Sequence, residues 1–95
     1  MMLEKDVARW AVIKAKKAGY WTRKFAAPGN RSVPDRLFAR GGQVMFVEFK
    51  RPGGKPTELQ LMEHAEMRSF GLEVHVIDSR EAFAALLDTK GGWLG

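Results

Sequence analysis

The sequence predicts an α/β domain in the order αβββαβα, with a mixed central sheet flanked by helices. Three observations carry this prediction. Apolar residues recur at helical spacing in three segments, apolar runs of strand length occur in four others, and a Gly-Gly pair at 41–42 separates two of those runs. A chain of 95 residues suffices for one domain with one modest core. We therefore expect a single domain over residues 1–95.

Helices are predicted over residues 3–18, over residues 57–70 and in a segment that begins at Asp78-Ser79. The second opens with Thr57-Glu58-Leu59-Gln60, which matches a capping box. Gln60 thus has two interpretations, a cap for Thr57 or a polar side chain aimed at a functional site. The second helix is expected to have a broad apolar surface, formed by Leu59, Leu61, Met62, Ala65 and Met67.

Strands are predicted over residues 20–27, 35–40, 43–50 and 72–77. The glycine pair between the second and third strands can supply the positive φ angles of a tight hairpin. The third and fourth strands have a helix between them, so we expect them to run parallel.

The hairpin is expected to gather three charged side chains at one edge of the sheet. Asp35 begins one strand, and Glu48 and Lys50 end the other, two residues apart and therefore on the same side. Two neighbouring carboxylates repel each other unless a cation lies between them, and oxygen ligands suit Mg²⁺ or Mn²⁺. A lysine beside such an ion can orient or deprotonate a water, or neutralise charge on a phosphodiester. The alternative is a solvated hairpin on which Glu48 and Lys50 only pair with each other.

The charge of the chain is unevenly distributed. Residues 1–57 contain 13 Lys and Arg against 4 Asp and Glu, a net charge of +9, whereas residues 58–95 contain 3 against 7, a net charge of −4. The basic half holds the candidate site, which indicates a polyanionic ligand; a basic surface kept for solubility is the alternative. Composition does not separate DNA from RNA. The candidate nucleic-acid contacts are Lys14, Lys16, Lys17, Arg23, Lys24, Arg31, Arg36, Arg51 and Lys55.

The chain contains no cysteine, which excludes disulfides and thiolate zinc sites. No apolar segment has the length of a membrane span, and the N-terminus lacks a signal core, so we expect a cytoplasmic protein without a membrane partner. Residues 89–95 are expected to form a mobile tail, whose Trp93 and Leu94 can dock on a partner subunit.

Glu4 borders the apolar face of the first predicted helix. It is either a further metal ligand that leans over the sheet edge or an acidic residue that favours the first turn of the helix. His64 and His75 have no metal-ligand spacing between them, and we assign them no role.

An acidic residue in the first helix, Pro34-Asp35, then Glu48-Phe49-Lys50, then a helix that opens with Gln60 resembles the pattern of the PD-(D/E)XK nucleases, whose core is that of restriction endonucleases. More narrowly, the chain is similar to the stand-alone VRR-NUC (virus-type replication-repair nuclease) domains common in phages. The resemblance extends from residue 4 to about residue 87, and the segment 53–60 is especially similar.

The resemblance implies an Mg²⁺- or Mn²⁺-dependent nuclease that hydrolyses DNA phosphodiester bonds. It makes Asp35 and Glu48 metal ligands, together with the backbone carbonyl of Phe49 and with Glu4. The catalytic set it implies is Asp35, Glu48, Lys50 and Gln60. Small members of the family resemble Holliday-junction resolvases, which implies a homodimer acting on branched DNA in a bacterial or phage-infected cell. The alternatives are a non-catalytic basic nucleic-acid-binding module, or the same chemistry on flap, nicked or RNA substrates.

Overall fold

A computed structural model of the chain describes residues 2–91. Its elements are α1 (Glu4–Lys17), β1 (Trp21–Lys24), β2 (Arg36–Arg40), β3 (Gln43–Phe49), α2 (Glu58–Ser69), β4 (Glu73–Ile77) and α3 (Arg80–Thr89). This order, αβββαβα, confirms the predicted α/β fold class. No helix within residues 2–91 is both long enough and apolar enough to cross a membrane.

The four strands form one mixed sheet in the order β1-β2-β3-β4. The first two pairs of strands are antiparallel, and β3 and β4 are parallel, as expected for strands connected through α2. Arg40 pairs with Gln43 across the β2–β3 turn, which leaves Gly41 and Gly42 as its two central residues. Both glycines have positive φ angles, 60° and 79°. Two-residue hairpin turns of this kind need positive φ angles at both central positions, and glycine adopts them readily.

The hydrophobic core lies between one face of the sheet and the helices α1 and α3. Phe38, Phe49 and Phe83 form its aromatic centre, with ring centroids 5.4 to 6.4 Å apart. The buried face of α1 is made largely of small residues, Val7, Ala11, Ala15 and Ala18. Small side chains allow a helix to approach a sheet closely, so α1 runs directly above the sheet. Its C-terminal end lies at the Gly41-Gly42 turn, and its first turn lies at the opposite end of β2 and β3.

The opposite face of the sheet is covered by α2, and the predicted apolar surface of this helix faces away from the sheet. Leu59, Leu61 and Met62 are 66%, 51% and 67% exposed, whereas Met67 and His64 are buried. Gln60, His64 and Met67 are spaced four and three residues apart, so they share the face of the helix that lies on the sheet.

Two predicted segments differ from the structure by more than one residue at an end. The strand expected over 20–27 ends at Lys24, because Pro28-Gly29 belongs to a turn closed by the Ala27–Asn30 bridge. Within the expected tail, Thr89 ends α3 and Lys90 is hydrogen-bonded to Glu73. Residues 92–95, including Trp93 and Leu94 with their expected docking role, lie outside the described residues.

Candidate active site

The register of the hairpin brings Asp35 and Glu48 to the same end of the sheet. Arg36 pairs with Val47, so Asp35, immediately before β2, lies beside Glu48 of β3. The Phe49 amide donates a hydrogen bond of 2.7 Å to Asp35 Oδ2. This bond continues the contact between the strands beyond the last paired residues, and it fixes the Asp35 carboxylate against β3.

Glu48 is a buried carboxylate with unequal oxygens. Gln60 Nε2 donates to its Oε2 over 3.3 Å, and Lys50 Nζ lies 3.6 Å from the same oxygen. The other oxygen, Oε1, is buried and has no hydrogen-bond partner among residues 2–91. A buried charged oxygen without a partner is unfavourable, so its environment favours a cation at that position.

The pKa of Glu48 reflects this environment. Burial, the charge of the neighbouring Asp35, the charge of Glu4 and the hydrogen bond that a protonated Glu48 can make with Asp35 raise the pKa of Glu48 to about 7, against the lowering effect of Lys50. Glu48 thus combines a raised pKa with the presence of a second carboxylate, that of Asp35, at the same end of the sheet. Such a combination is characteristic of functional sites, because a purely structural carboxylate is normally neutralised by its neighbours.

Lys50 and Phe49 are positioned by the end of β3. The Lys50 amide donates to the carbonyl of Ile77 in β4 over 2.9 Å, which holds the residue at the sheet edge. The Phe49 ring is 1% exposed and anchors the strand in the core, while alternation places Glu48 and Lys50 together on the other side.

Gln60 fulfils both of its sequence interpretations. Its Oε1 accepts from the Thr57 amide over 2.9 Å, and its own amide donates to Thr57 Oγ1 over 3.1 Å, which completes the capping box. The side-chain nitrogen remains available and donates to Glu48. A carboxamide has a donor end and an acceptor end, so one residue can cap the helix and orient the carboxylate.

The donor set fits a divalent metal ion of the hard, oxygen-binding type. Asp35 and Glu48 supply carboxylates, and the unpartnered Glu48 Oε1 offers a free ligand position. Within residues 2–91 no three His, Cys, Asp or Glu side chains are close enough to hold a metal together. Glu4, exposed at the start of α1, is therefore not part of a three-carboxylate cluster. Magnesium sites commonly use one or two carboxylates, and complete the shell with water and substrate phosphate.

Two grooves begin beside this site and share Glu4 and Lys5. The first, here called the loop groove, has a volume of about 580 Å³ and is lined by Leu3, Glu4, Lys5, Lys50, Arg51, Gly54 and Lys55. The second, here called the helix groove, has a volume of about 710 Å³ and lies between α1 and the ends of β1 and β2. Asp35 and Phe49 line its inner end. The candidate site thus lies where two grooves meet.

The structure brings together only some of the predicted nucleic-acid contacts. Lys24 and Arg36 line the helix groove, and Arg51 and Lys55 line the loop groove. The other members lie elsewhere: Arg31 is in the loop before β2, Arg23 lies 4.7 Å from the centre of the Trp21 ring, and Lys14, Lys16 and Lys17 are in the last turn of α1. At 1.5 Å per residue, that turn is about 15–20 Å along the helix from Glu4.

Sequence reasoning missed Lys5 and Arg9, which line the helix groove. A signal was present, because Lys5 and Arg9 are four positions apart in the first predicted helix and therefore share one of its faces. That face borders the position of Glu4.

His64, to which the sequence analysis assigns no role, lies on the face of α2 that packs on the sheet. It is fully buried one turn after Gln60, and neither ring nitrogen has a hydrogen-bond partner within residues 2–91. Burial, followed by the positive charge of Arg68, lowers its pKa, against the raising effect of Glu63. The imidazole is therefore held neutral beneath the α2 side of the site.

Among models of known protein families, none matches the chain. The chain is 41% identical over 87 residues to "Putative nuclease p44" of Acyrthosiphon pisum secondary endosymbiont phage 1, covering 90% of this chain and 94% of that protein. A solved structure described as a VRR_NUC domain matches with a TM-score of 0.85 and 30% identity, covering 93% of this chain and 97% of that one. The fold and both relatives agree: this chain belongs to the VRR-NUC family of nuclease domains.

Proposed function

We propose that this nuclease domain is a divalent-metal-dependent endodeoxyribonuclease, with Mg²⁺ or Mn²⁺ held by Asp35 and Glu48. The observation that carries the proposal is the buried, unpartnered Oε1 of Glu48 beside a second carboxylate. Cations line both grooves near this pair, the helix groove through Asp35 and the loop groove through Lys50, as expected where a polyanion approaches a metal site. The proposed place of action is the cytoplasm of a bacterial or phage-infected cell, since the curated relative is a phage protein.

The chain's own residues divide the chemical roles. Gln60 holds Glu48 Oε2 and leaves Oε1 for the cation, and the Phe49 amide holds Asp35 in place. Lys50, whose Nζ lies 3.6 Å from Glu48 Oε2, orients the attacking water and offsets charge that develops on the phosphate. The bound cation supplies Lewis acidity and lowers the pKa of water. Glu4 and the Phe49 carbonyl keep their predicted roles as additional ligands, Glu4 through water because within residues 2–91 it forms no three-carboxylate cluster with Asp35 and Glu48.

A cleavage experiment with a matched variant tests this function. The purified chain is incubated with four-way-junction, flap, nicked, duplex and single-stranded DNA, and with RNA, in Mg²⁺, Mn²⁺ or chelator. We expect metal-dependent cleavage that is lost in Glu48→Gln and kept in Glu73→Gln, a glutamate of the neighbouring strand that lies away from the site. Cleavage that persists in chelator or in Glu48→Gln contradicts the proposal, and binding without cleavage in either metal identifies a non-catalytic binding module.

We further propose that the domain acts on branched DNA as a homodimer, and the exposed face of α2 supports this proposal. Leu59, Met62 and Phe70 are 66%, 67% and 79% exposed, and no segment within residues 2–91 covers them. A second copy of the chain, related by a two-fold axis, would cover this face and bring a second site to a junction that is itself nearly two-fold symmetric. A stable dimer needs about 800 Å² of surface from each partner.

The dimer is tested by sedimentation and by the products on a junction. Met62→Lys should convert a dimer to a monomer and replace paired nicks by single nicks, because a charge cannot be buried against an apolar copy of the same face. Ala85→Lys, on the exposed surface of α3, is the matched control and should leave the mass unchanged. A wild-type chain that sediments as a monomer at micromolar concentration would contradict the dimer but not the nuclease.

A further inference from the structure

The two grooves at the site differ in chemistry, although they meet at the same residues. The loop groove is lined by four cations and has one large apolar side chain, Leu3. The helix groove has walls that are mostly apolar, formed by Ala8, Val12, Ile13, Phe25 and Ala26. Contact with phosphates accounts for a groove of the first kind. Apolar walls beside the candidate site suit a ligand that has an apolar part as well as phosphates.

The helix groove nevertheless carries positive charge along its length, from Lys5, Arg9, Lys24 and Arg36. Within residues 2–91 none of these four side chains is within ion-pair distance of a carboxylate. They remain available for an anionic ligand. The groove therefore combines apolar walls with several unneutralised cations.

Arg36 is the most firmly placed of these cations. Its Nη1 donates to Thr22 Oγ1 over 3.2 Å, and Thr22 in turn donates to the Leu37 carbonyl over 2.9 Å. Thr22 is only 3% exposed, so the hydroxyl that holds the guanidinium is itself fixed in the sheet. A guanidinium held in advance loses less conformational entropy when it binds an anion.

We propose that the helix groove binds an unpaired nucleotide of the DNA strand that is cut. The base lies against the α1 wall formed by Ala8, Val12 and Ile13, and its flanking phosphate is bound by Arg36 and Arg9. The volume of about 710 Å³ is sufficient, since small-ligand pockets span roughly 300 to 1,000 Å³. The inference rests on the proposed function, because Asp35 and Phe49 at the inner end of the groove place this nucleotide next to the scissile phosphate.

Such a groove would make a single subunit selective for distorted DNA. A base inside a duplex must leave its stack before it can enter the groove, whereas a base at a branch or a bulge is already unstacked. Flat aromatic faces of bases pack against apolar and aromatic side chains with little dependence on sequence. Selectivity for DNA structure then arises in each subunit, independently of the two-fold arrangement of a dimer.

The test compares binding of a fully paired duplex with binding of the same duplex carrying a single-nucleotide bulge, by fluorescence anisotropy in chelator. Ala26→Phe fills the groove from an exposed position, and Ala85→Phe places the same ring on the exposed surface of α3 as a control. The wild type and the control should bind bulged DNA about tenfold more tightly than paired DNA. Ala26→Phe should lose most of this preference and keep the affinity for paired DNA.

A second variant guards against an indirect effect of the added ring. Ile13→Glu places a negative charge on the exposed part of the α1 wall, where Ile13 is 51% exposed, and should lose the same preference while retaining the wild-type circular dichroism spectrum. Equal affinity of the wild type for both DNAs, or a bulge preference that survives both variants, overturns the inference.

The outcomes also separate this inference from the proposed function. A bulge preference that depends on the groove, without metal-dependent cleavage by the wild type, supports the groove assignment and overturns the catalytic proposal. Metal-dependent cleavage by a wild type without any bulge preference supports the catalytic proposal and overturns the groove assignment.

Discussion

Glu48 and Glu73 are the same residue type on neighbouring parallel strands, yet their surroundings differ. In the register of the two strands Glu73 is opposite Met45 and Glu48 is opposite Val76, so the two carboxylates are three positions apart along the sheet. Glu73 accepts from Lys90 Nζ over 2.6 Å and forms a bond of 2.6 Å with His75 Nε2. Glu48 has one oxygen bonded to Gln60 and one oxygen without a partner within residues 2–91.

The two pKa values consequently move in opposite directions. Burial raises the pKa of Glu73, but its hydrogen bonds with Lys90 and His75 outweigh this and lower it overall. For Glu48 burial and Asp35 act in the same direction, and Lys50 does not compensate. The comparison indicates that a neutralised carboxylate stabilises the fold, whereas a buried one left partly unsatisfied marks the place where a ligand contributes the missing charge.

The largest expected effect compares the lysines of the two clusters. Lys50→Ala should slow cleavage by about 100- to 1,000-fold, since it removes the cation that stabilises charge at the phosphate. Lys90→Ala should leave the rate unchanged, because Lys90 pairs with Glu73 away from the site. Single-turnover rates on a junction check both, and calorimetry should still detect Mg²⁺ binding by Lys50→Ala. Equal rates for the two variants would remove Lys50 from the mechanism.

The pH dependence of stability in chelator should show the raised pKa of Glu48. The folded pKa of about 7 lies above the ordinary value of 4.5, so the folded state keeps its proton where the unfolded state has lost it. This contribution to the free energy of unfolding is complete below the pKa of Glu48 in the unfolded state and is lost as pH rises through its pKa in the folded state. Its size is on the order of 3 kcal/mol.

Urea unfolding of the wild type and of Glu48→Gln, at about pH 5 and about pH 7.5, isolates this effect, because other carboxylates cancel in the difference. The variant should gain stability relative to the wild type at the higher pH. Identical pH dependence of the two proteins would mean that Glu48 is neutralised by something other than a bound ion.

Glu73→Gln should act in the opposite sense and more weakly. Its lowered pKa means that it contributes stability above the unfolded pKa of 4.5, which is lost as pH falls through the lower folded value. We expect a loss of about 1 kcal/mol near neutral pH, because the side chain is 34% exposed and solvent screens the pair. Thermal or urea unfolding measures the loss, and an unchanged cleavage rate distinguishes it from a defect in the site.

The sequence predicts those features of the site that depend on the local geometry of strands and turns. The glycine pair and strand alternation were sufficient to place Asp35, Glu48 and Lys50 at one end of a hairpin. The grooves were not predictable in this way, because Arg9 and Arg36 meet across the space between a helix and a sheet. Periodicity groups residues by helix face, but it does not tell which face meets a distant element.

Helix α2 illustrates this limit. Its apolar residues suggest one inner face, yet the helix turns Gln60 and His64 toward the sheet and leaves Leu59 and Met62 exposed. The contact between Gln60 and Glu48 belongs to the site, so the orientation of α2 follows the chemistry of the site rather than the largest apolar area. His64, four residues later on the same face, is buried as a consequence.

The burial of His64 leads to the smallest expected effect on stability among these predictions. The lowered pKa of His64 means that the unfolded state takes up a proton first as pH falls, so wild-type stability should decrease below the ordinary pKa of 6.5. His64→Leu removes both unpartnered nitrogens and keeps a buried side chain of similar size. Unfolding experiments should show little difference at about pH 7.5, and an advantage of up to about 1 kcal/mol for the variant at about pH 5.5. An advantage for the wild type at both pH values would instead show that the imidazole has a hydrogen-bond partner in solution.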